Sequence, residues 1–113
     1  MTRELPVDGR TIHLESGGVL LAYPITTAVQ VGDLVLVLYD PGASKQKFGV
    51  FENVVGLSLD GHTRWEAQLP SSTTGDRYVE LAVGDQIVAY SWSGFRCVLD
   101  ADSGRIVSAE FLR

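Results

Sequence analysis

Apolar and polar residues alternate with a period of two along most of this chain, for example at residues 11–15, 55–60 and 95–100. Residues 34–39 are the exception, because every one of these six positions is apolar. Alternation is typical of half-buried antiparallel strands, whereas a short continuous apolar run indicates a strand that is covered on both faces. We therefore expect an all-β fold with residues 34–39 at the centre of the core.

Two stretches of the chain follow the same order of strand, Val-Gly-Asp turn, apolar strand, strand, turn and strand. The first contains Val31-Gly32-Asp33 and the second contains Val83-Gly84-Asp85. Glycine supplies the positive φ of a two-residue hairpin turn, and aspartate tolerates the same region. We expect a tight reversal with a positive-φ glycine at each of these two motifs.

The pattern predicts a single domain over residues 1–113, with internal repeats at about 25–69 and 78–112. Residues 41–47 form the longest loop signal inside the repeats. We expect the sheets to bury their apolar faces on each other as a sandwich or flattened barrel. The predicted antiparallel strands number about ten: an N-terminal hairpin at 10–15 and 19–23, a first four-stranded meander at 25–31, 34–39, 49–60 and 63–69, and a second at 78–83, 86–92, 95–99 and 105–112.

The formal net charge of the 113-residue chain is −5. An acidic protein is repelled by phosphate backbones and by anionic lipid, so we expect neither a nucleic acid nor a membrane surface as a partner. The first six residues lack the apolar core of a signal peptide. The chain has one cysteine, Cys97, which cannot form an internal disulfide. We therefore expect a cytoplasmic location.

Few residues carry the chemistry of a metal site. His13, His62 and Cys97 lack the paired spacing of zinc ligands, and Cys97 alternates in phase with neighbouring apolar residues, which favours an inert buried thiol. The segment Asp100-Ala101-Asp102-Ser103-Gly104 begins like a calcium loop. Its glycine comes one residue early and no bidentate glutamate follows, so we interpret it as a β-turn. We expect no metal and no cofactor.

A catalytic centre is not indicated either. Ser72, His62 and Asp76 are a trio of the kind that any chain of this size contains. The sequence has no nucleophile elbow, no glycine-rich phosphate loop and no HExxH motif. We therefore expect a protein that is not an enzyme.

The aromatic residues near the predicted Ser93-Gly94 hairpin turn can be interpreted in two ways. Tyr90 and Trp92 share a strand face, and Phe95 follows the Ser93-Gly94 turn. These rings either cap the core or form an exposed anchor for a partner, since tryptophan and tyrosine dominate binding hot spots. Trp65 lies on the apolar side of its predicted strand, and we expect it in the core.

The run from Asn53 through Leu59-Asp60-Gly61-His62-Thr63-Arg64 to Trp65 resembles the aromatic-ended meander of quinoprotein-type propeller blades. The run from Val98 to Arg105 resembles the same turn again. A propeller needs about four blades or more, whereas this chain has length for two. From Tyr23-Pro24-Ile25 to the C-terminus the chain also resembles a group of small uncharacterised bacterial all-β proteins. That group has no established activity, so the resemblance assigns no catalytic residue to this chain. The resemblance also implies that the paired meanders are the complete protein.

Two functional classes remain open. The first is a non-catalytic protein-interaction module, for example a small acidic inhibitor or immunity-like protein whose negative surface neutralises a basic partner. The second is a small-ligand binding protein that holds a sugar or a planar metabolite at the aromatic tip or between the sheets. We also expect a homodimer, because the terminal strand at residues 106–112 carries few charges and no proline to protect its edge.

Overall fold

The computed structural model describes residues 2–43 and 49–112, and these residues form twelve β-strands in three antiparallel sheets. No helix occurs in this part of the chain, so none of it could cross a membrane as a helix. The all-β prediction is confirmed. The strands are β1 (Thr2–Glu4), β2 (Val7–Asp8), β3 (Thr11–Leu14), β4 (Gly17–Leu20), β5 (Ile25–Val31), β6 (Leu34–Tyr39), β7 (Val54–Leu57), β8 (Thr63–Glu66), β9 (Tyr78–Val83), β10 (Ile87–Ser91), β11 (Phe95–Leu99) and β12 (Ile106–Phe111).

The three sheets are meanders, so most strands pair with the next strand along the chain. The N-terminal sheet has the order β2-β3-β4, and the C-terminal sheet has the order β12-β11-β10-β9. The central sheet has the order β1-β5-β6-β7-β8, in which β1 is the one strand that pairs out of sequence order. The central sheet corresponds to the first predicted repeat and the C-terminal sheet to the second.

The central sheet lies between the other two, and β6 explains why. Leu34, Leu36 and Leu38 on one face of β6 pack against the C-terminal sheet, while Val35 and Val37 on the other face pack against the N-terminal sheet. All six residues of β6 are buried. The prediction that residues 34–39 are covered on both faces is confirmed, and it accounts for the loss of polar alternation there.

The two Val-Gly-Asp motifs do not form the same turn. Gly32 has φ +60° and the loop holds two residues, because Val31 pairs with Leu34. In the second motif Val83 pairs with Ile87, which leaves a three-residue loop, and Gly84 is absent from the positive-φ glycines. The expectation of a positive-φ glycine was therefore wrong at Gly84. The extra residue in the loop removes the geometric need for it.

Strand boundaries differ from the prediction at the start of the chain and in the first repeat. The short strands β1 and β2 were not predicted. The strand expected over 49–60 narrows to β7, preceded by an isolated parallel bridge between Phe51 and Arg77. The predicted loop at 41–47 lies outside the described residues from residue 44 onward.

Candidate binding site

A cleft of about 580 Å³ opens where the N-terminal sheet stops covering the central sheet. We call it the acidic cleft. The residues that matter for its chemistry are Tyr23, Tyr39, Phe51, Glu52, Thr63 and Glu66. They come from the end of β6, from both ends of β8 and from the segments that follow β4 and precede β7, so the cleft gathers separate parts of the chain.

Three aromatic rings form one wall of the acidic cleft. The Tyr23 ring packs edge-on against the Tyr39 ring, with the centroids 5.4 Å apart, and against the Phe51 ring, with the centroids 4.9 Å apart. Edge-to-face contacts of this kind are favourable and fix the orientation of each ring. Tyr39 and Phe51 are buried, whereas Tyr23 is half-buried and contributes to the mouth.

Backbone hydrogen bonds hold these rings in place. The Tyr39 N–H donates to the Asn53 carbonyl at 2.8 Å, and the Phe51 N–H donates to the Asp76 carbonyl at 2.9 Å. The residue after Tyr23, Pro24, accepts a bond from the Asp40 N–H at 2.8 Å. The rings therefore rest on a backbone that the sheets already fix.

Two exposed carboxylates face the same cleft. Glu66 lies on β8 opposite Val55, on the face that looks toward the N-terminal sheet, and Glu52 lies between two buried residues. Burial raises the pKa of the Tyr39 hydroxyl, a backbone hydrogen bond at Ala22 acts in the opposite direction, and the negative charge of Glu66 raises the pKa further. Tyr39 is therefore a neutral group at physiological pH.

Arg77, which lies beside the Phe51 ring, does not form an ion pair with these carboxylates. The Arg77 guanidinium carbon lies 5.7 Å from the Phe51 ring centroid, a cation–π arrangement. Its Nε donates to the Gly75 carbonyl at 2.9 Å, and its Nη1 donates to the Pro41 carbonyl. Across residues 2–43 and 49–112, the ion pairs do not include Glu52 or Glu66. The cleft thus combines aromatic faces with two carboxylates that form no ion pair within the described chain, and the same two carboxylates line a neighbouring cleft with Arg105.

The predicted aromatic tip is divided between two faces of the C-terminal sheet. Tyr90 pairs with Arg96 and Glu80 on the outer face. Phe95 lies on the inner face and packs against Phe111, with the ring centroids 5.2 Å apart. Trp92 lies in the turn between β10 and β11 and is 63% exposed.

A buried carboxylate anchors this tip. Asp76 accepts a hydrogen bond from the Ser93 N–H at 3.1 Å and another from the Ser93 hydroxyl at 3.0 Å. The Arg77 N–H donates to the same carboxylate at 3.0 Å. Asp76 therefore fixes the turn that contains Trp92. These hydrogen bonds give Asp76 a structural role, which explains the aspartate in the trio of Ser72, His62 and Asp76.

Asn53 joins the two larger sheets and was not predicted to matter. Its side-chain amide donates to the carbonyls of Tyr39 at 3.1 Å and Tyr78 at 2.7 Å, and its side-chain oxygen accepts from the Tyr78 N–H at 2.8 Å. Asn53 is fully buried. The sequence signal was a polar residue directly before an apolar strand, which is weak evidence taken alone.

Tyr78 and Cys97 are buried beside Asn53. Burial raises the pKa of both groups; the neighbouring Cys97 raises the pKa of Tyr78 further, whereas the adjacent Tyr78 hydroxyl lowers that of Cys97. The Tyr78 hydroxyl donates to the Gln68 carbonyl at 2.6 Å. A buried thiol with a raised pKa is a poor nucleophile, so Cys97 acts as a core residue.

Trp65 is in the core, as predicted. Its indole N–H donates to the Ala101 carbonyl at 2.9 Å, and its ring lies between two glycines. A Cβ on Gly56 would come within 2.4 Å of the indole, and a Cβ on Gly104 would come within 2.3 Å. Gly104 closes the turn after β11, and Asp100 accepts bonds from the Ser103 N–H and hydroxyl in that turn. Residues 100–104 therefore form a turn, as interpreted, but the Gly104 N–H donates to the Asp100 carbonyl at 2.8 Å, so the turn spans one residue more than a β-turn.

The two histidines and the cysteine lie in different environments. His13 and His62 are exposed, whereas Cys97 is fully buried. Within the described ranges, no three side chains of histidine, cysteine, aspartate or glutamate come together as metal ligands.

Fold and cleft together define a small protein of three stacked antiparallel sheets with an aromatic, acidic cleft. The chain belongs to the family described as Domain of unknown function (DUF7957), whose model matches residues 2–111. No curated protein and no solved structure matches the chain.

Proposed function

We propose that this protein is a non-catalytic interaction module that holds a cationic group of a basic protein partner in the acidic cleft. One observation carries the proposal: Tyr23, Tyr39 and Phe51 form an aromatic wall beside Glu52 and Glu66. A lysine or arginine side chain offers an apolar stem for the rings and a charge for the carboxylates. The net charge of −5 favours a basic partner at long range.

A second candidate is a free small ligand in the same cleft. The volume of about 580 Å³ lies within the usual range of small-molecule pockets, roughly 300–1,000 Å³. Aromatic faces with a few polar groups also suit a sugar or a planar metabolite. The concave shape of the cleft favours this candidate, whereas the exposed carboxylates favour a cation.

The proposal includes a cytoplasmic setting and a relationship of the two larger sheets to propeller blades. Cys97 supports the first point, because the chain offers no second cysteine for a disulfide. The second point is supported by the meander order of the strands and by the contact of Trp65 with the next sheet. Neither point is required for binding at the cleft.

Isothermal titration calorimetry with two cationic probes tests the proposal. The probes are a ten-residue lysine peptide and tetramethylammonium, with a ten-residue glutamine peptide as the neutral control. We expect the lysine peptide to bind, and we expect Glu52→Gln combined with Glu66→Gln to weaken binding about tenfold. The reason is that two exposed ion pairs together contribute on the order of 1–2 kcal/mol, and about 1.4 kcal/mol is a factor of ten.

A matched variant separates the cleft from the overall charge. Glu15→Gln combined with Glu80→Gln removes the same charge from exposed positions outside the cleft lining. Equal losses in the two double variants would reject the cleft as the site. Tetramethylammonium binding as tightly as the peptide would favour a free cationic ligand, and binding of a neutral disaccharide in its place would favour the sugar alternative.

A further inference from the structure

A second cleft, of about 390 Å³, adjoins the acidic cleft and shares a wall with it. We call it the Arg105 cleft. Glu52 and Glu66 line both clefts, whereas Gln68 and Arg105 line the Arg105 cleft and not the acidic cleft. A lone cationic group in the acidic cleft accounts for the two carboxylates, and it leaves the arginine beside them without a role.

The side chain of Arg105 is free to meet a group from outside the chain. Its backbone N–H donates to the Ser103 hydroxyl at 3.2 Å, which fixes the start of the residue, and the residue is exposed. The ion pairs formed within residues 2–43 and 49–112 do not include Arg105, Glu52 or Glu66. A guanidinium presents its N–H donors in a planar fork that matches a carboxylate. Arg105 can therefore hold a carboxylate that another molecule supplies.

Gln68 adds a second donor to the Arg105 cleft. Its side-chain oxygen accepts a hydrogen bond from the Ile106 N–H at 3.1 Å, and its backbone N–H donates to the Gly104 carbonyl at 2.9 Å. An amide side chain has one acceptor oxygen and one NH₂ group. Because the oxygen is already engaged, the NH₂ group is the part of the Gln68 amide that is left for a ligand. Charged and neutral N–H donors acting together bind a carboxylate well.

The backbone that follows β8 sets the spacing between the two clefts. Trp65 and Ala67 are buried, whereas Glu66 and Gln68 are exposed, so the strand alternation continues past the end of β8. The Ala67 N–H donates to the Val54 carbonyl at 2.8 Å, which keeps this segment extended along β7. Residues two apart on a strand face the same side and lie about 6.6 Å apart. The acceptor at Glu66 and the donor at Gln68 are therefore neighbours on one face.

We propose that the bound partner segment is extended and carries a carboxylate two residues away from its basic residue, so that it spans both clefts. This inference rests on the function proposed above, because the lysine or arginine of the segment lies in the acidic cleft. The carboxylate then lies against Arg105 and the Gln68 amide. Side chains two apart on an extended segment have the same spacing as Glu66 and Gln68, so the two charges reach the two clefts together.

The charge of Arg105 selects among basic partners. A uniformly basic segment that fills both clefts would set a second cation against Arg105, and like charges placed together at an interface are unfavourable. An acidic side chain at that position replaces the repulsion with an attraction. The two clefts together therefore favour a segment in which charge alternates over one that is only basic, which is specificity by repulsion as well as by contact.

An NMR titration with two capped peptides tests the inference. The peptides are Ala-Glu-Ala-Lys-Ala-Glu-Ala and Ala-Gln-Ala-Lys-Ala-Gln-Ala, which read the same in both directions. The net charge of −5 favours the second peptide at long range, but salt at about 0.15 M screens that attraction beyond about 8 Å. We expect the first peptide to bind about threefold more tightly, since an exposed ion pair contributes at most about fivefold. The side-chain NH₂ signals of Gln68 should shift with the first peptide and not with the second.

A pair of arginine variants assigns the preference to its cause. Arg105→Gln should abolish the preference for the first peptide, whereas Arg3→Gln should keep it, because Arg3 is an exposed arginine outside both cleft linings. Equal affinities of the two peptides for the wild-type protein, or a preference that survives Arg105→Gln, would overturn the inference. Binding of the ten-residue lysine peptide without either short peptide would overturn the inference alone, and binding of none of the three would overturn the proposed function as well.

Discussion

The substitution Gly104→Ala tests how the two larger sheets are joined. Gly104 has φ +71°, and the Trp65 indole lies where a Cβ on Gly104 would be, with a nearest distance of 2.3 Å. Alanine therefore introduces two separate penalties. One is backbone strain in the left-handed region, and the other is a clash that moves the indole away from its bond to the Ala101 carbonyl.

The two penalties can be given magnitudes. An L-residue in the left-handed region costs about 1–2 kcal/mol. Overpacking a filled core costs about 1–3 kcal/mol, and a lost hydrogen bond adds about 1 kcal/mol. We expect Gly104→Ala to lower the free energy of unfolding by about 3–6 kcal/mol, which is a large share of the total of about 5–15 kcal/mol.

Two other glycines separate strain from clash. Gly75 has φ +84° and nothing within 4 Å of its Cβ position, so Gly75→Ala measures strain alone, at about 1–2 kcal/mol. Gly56 is not among the positive-φ glycines, and its Cβ would lie 2.4 Å from the indole, so Gly56→Ala measures the clash alone. The loss at Gly104 should approach the sum of the other two.

Urea denaturation followed by circular dichroism measures these losses. With a slope of about 1–3 kcal/mol per molar urea, a loss of 3 kcal/mol lowers the midpoint by about 1–3 M. Trp65→Leu should remove much of the penalty of Gly104→Ala, because the smaller side chain leaves room for the methyl group. If Gly104→Ala costs no more than Gly75→Ala, the indole does not rest on Gly104 and the reasoning fails.

Two further predictions concern the core and a surface turn. Leu36→Asp should prevent cooperative folding, because an unpaired buried charge costs several kcal/mol and Leu36 is fully buried between the sheets; a soluble variant with a cooperative melt would contradict this. The pKa of Asp60 is lowered from 3.8 to about 2, first by the hydrogen bond from the Ser58 hydroxyl and then by His62. Its stabilising contribution is therefore present above about pH 4 and is lost as the pH falls through 2. A carboxyl titration by NMR should give this value, and Ser58→Ala should move it back toward 3.8; no change in that variant would exclude the assigned cause.

Most strands could be predicted because the period of two and the turn residues agree. Gly32, Gly61, Gly94 and Gly104 all take positive φ, and each marks a reversal between predicted strands. Residues 2–4 gave no apolar alternation, so β1 could not be predicted. It forms because Thr2, Arg3 and Glu4 pair with the edge of β5, which is a tertiary effect.

The acidic cleft could not be predicted from sequence, because its residues lie on separate segments. Tyr23, Tyr39, Phe51 and Glu66 meet through the stacking of sheets, and no local spacing encodes that arrangement. The aromatic tip of Tyr90, Trp92 and Phe95, in contrast, was predicted from residues that are close together in sequence. Alternation still separates Phe95 from Tyr90, since Phe95 lies in phase with the buried Cys97.

The two tryptophans occupy opposite environments, which gives the molecule two built-in optical reporters. Trp65 is held in the core between two glycines, and Trp92 lies in an exposed turn that Asp76 fixes. Indole emission shifts to longer wavelength in water, so the native spectrum should be a sum of a blue component from Trp65 and a red component from Trp92. Unfolding changes the first component, whereas contact at the turn changes the second, so one emission scan distinguishes loss of the fold from occupation of the surface.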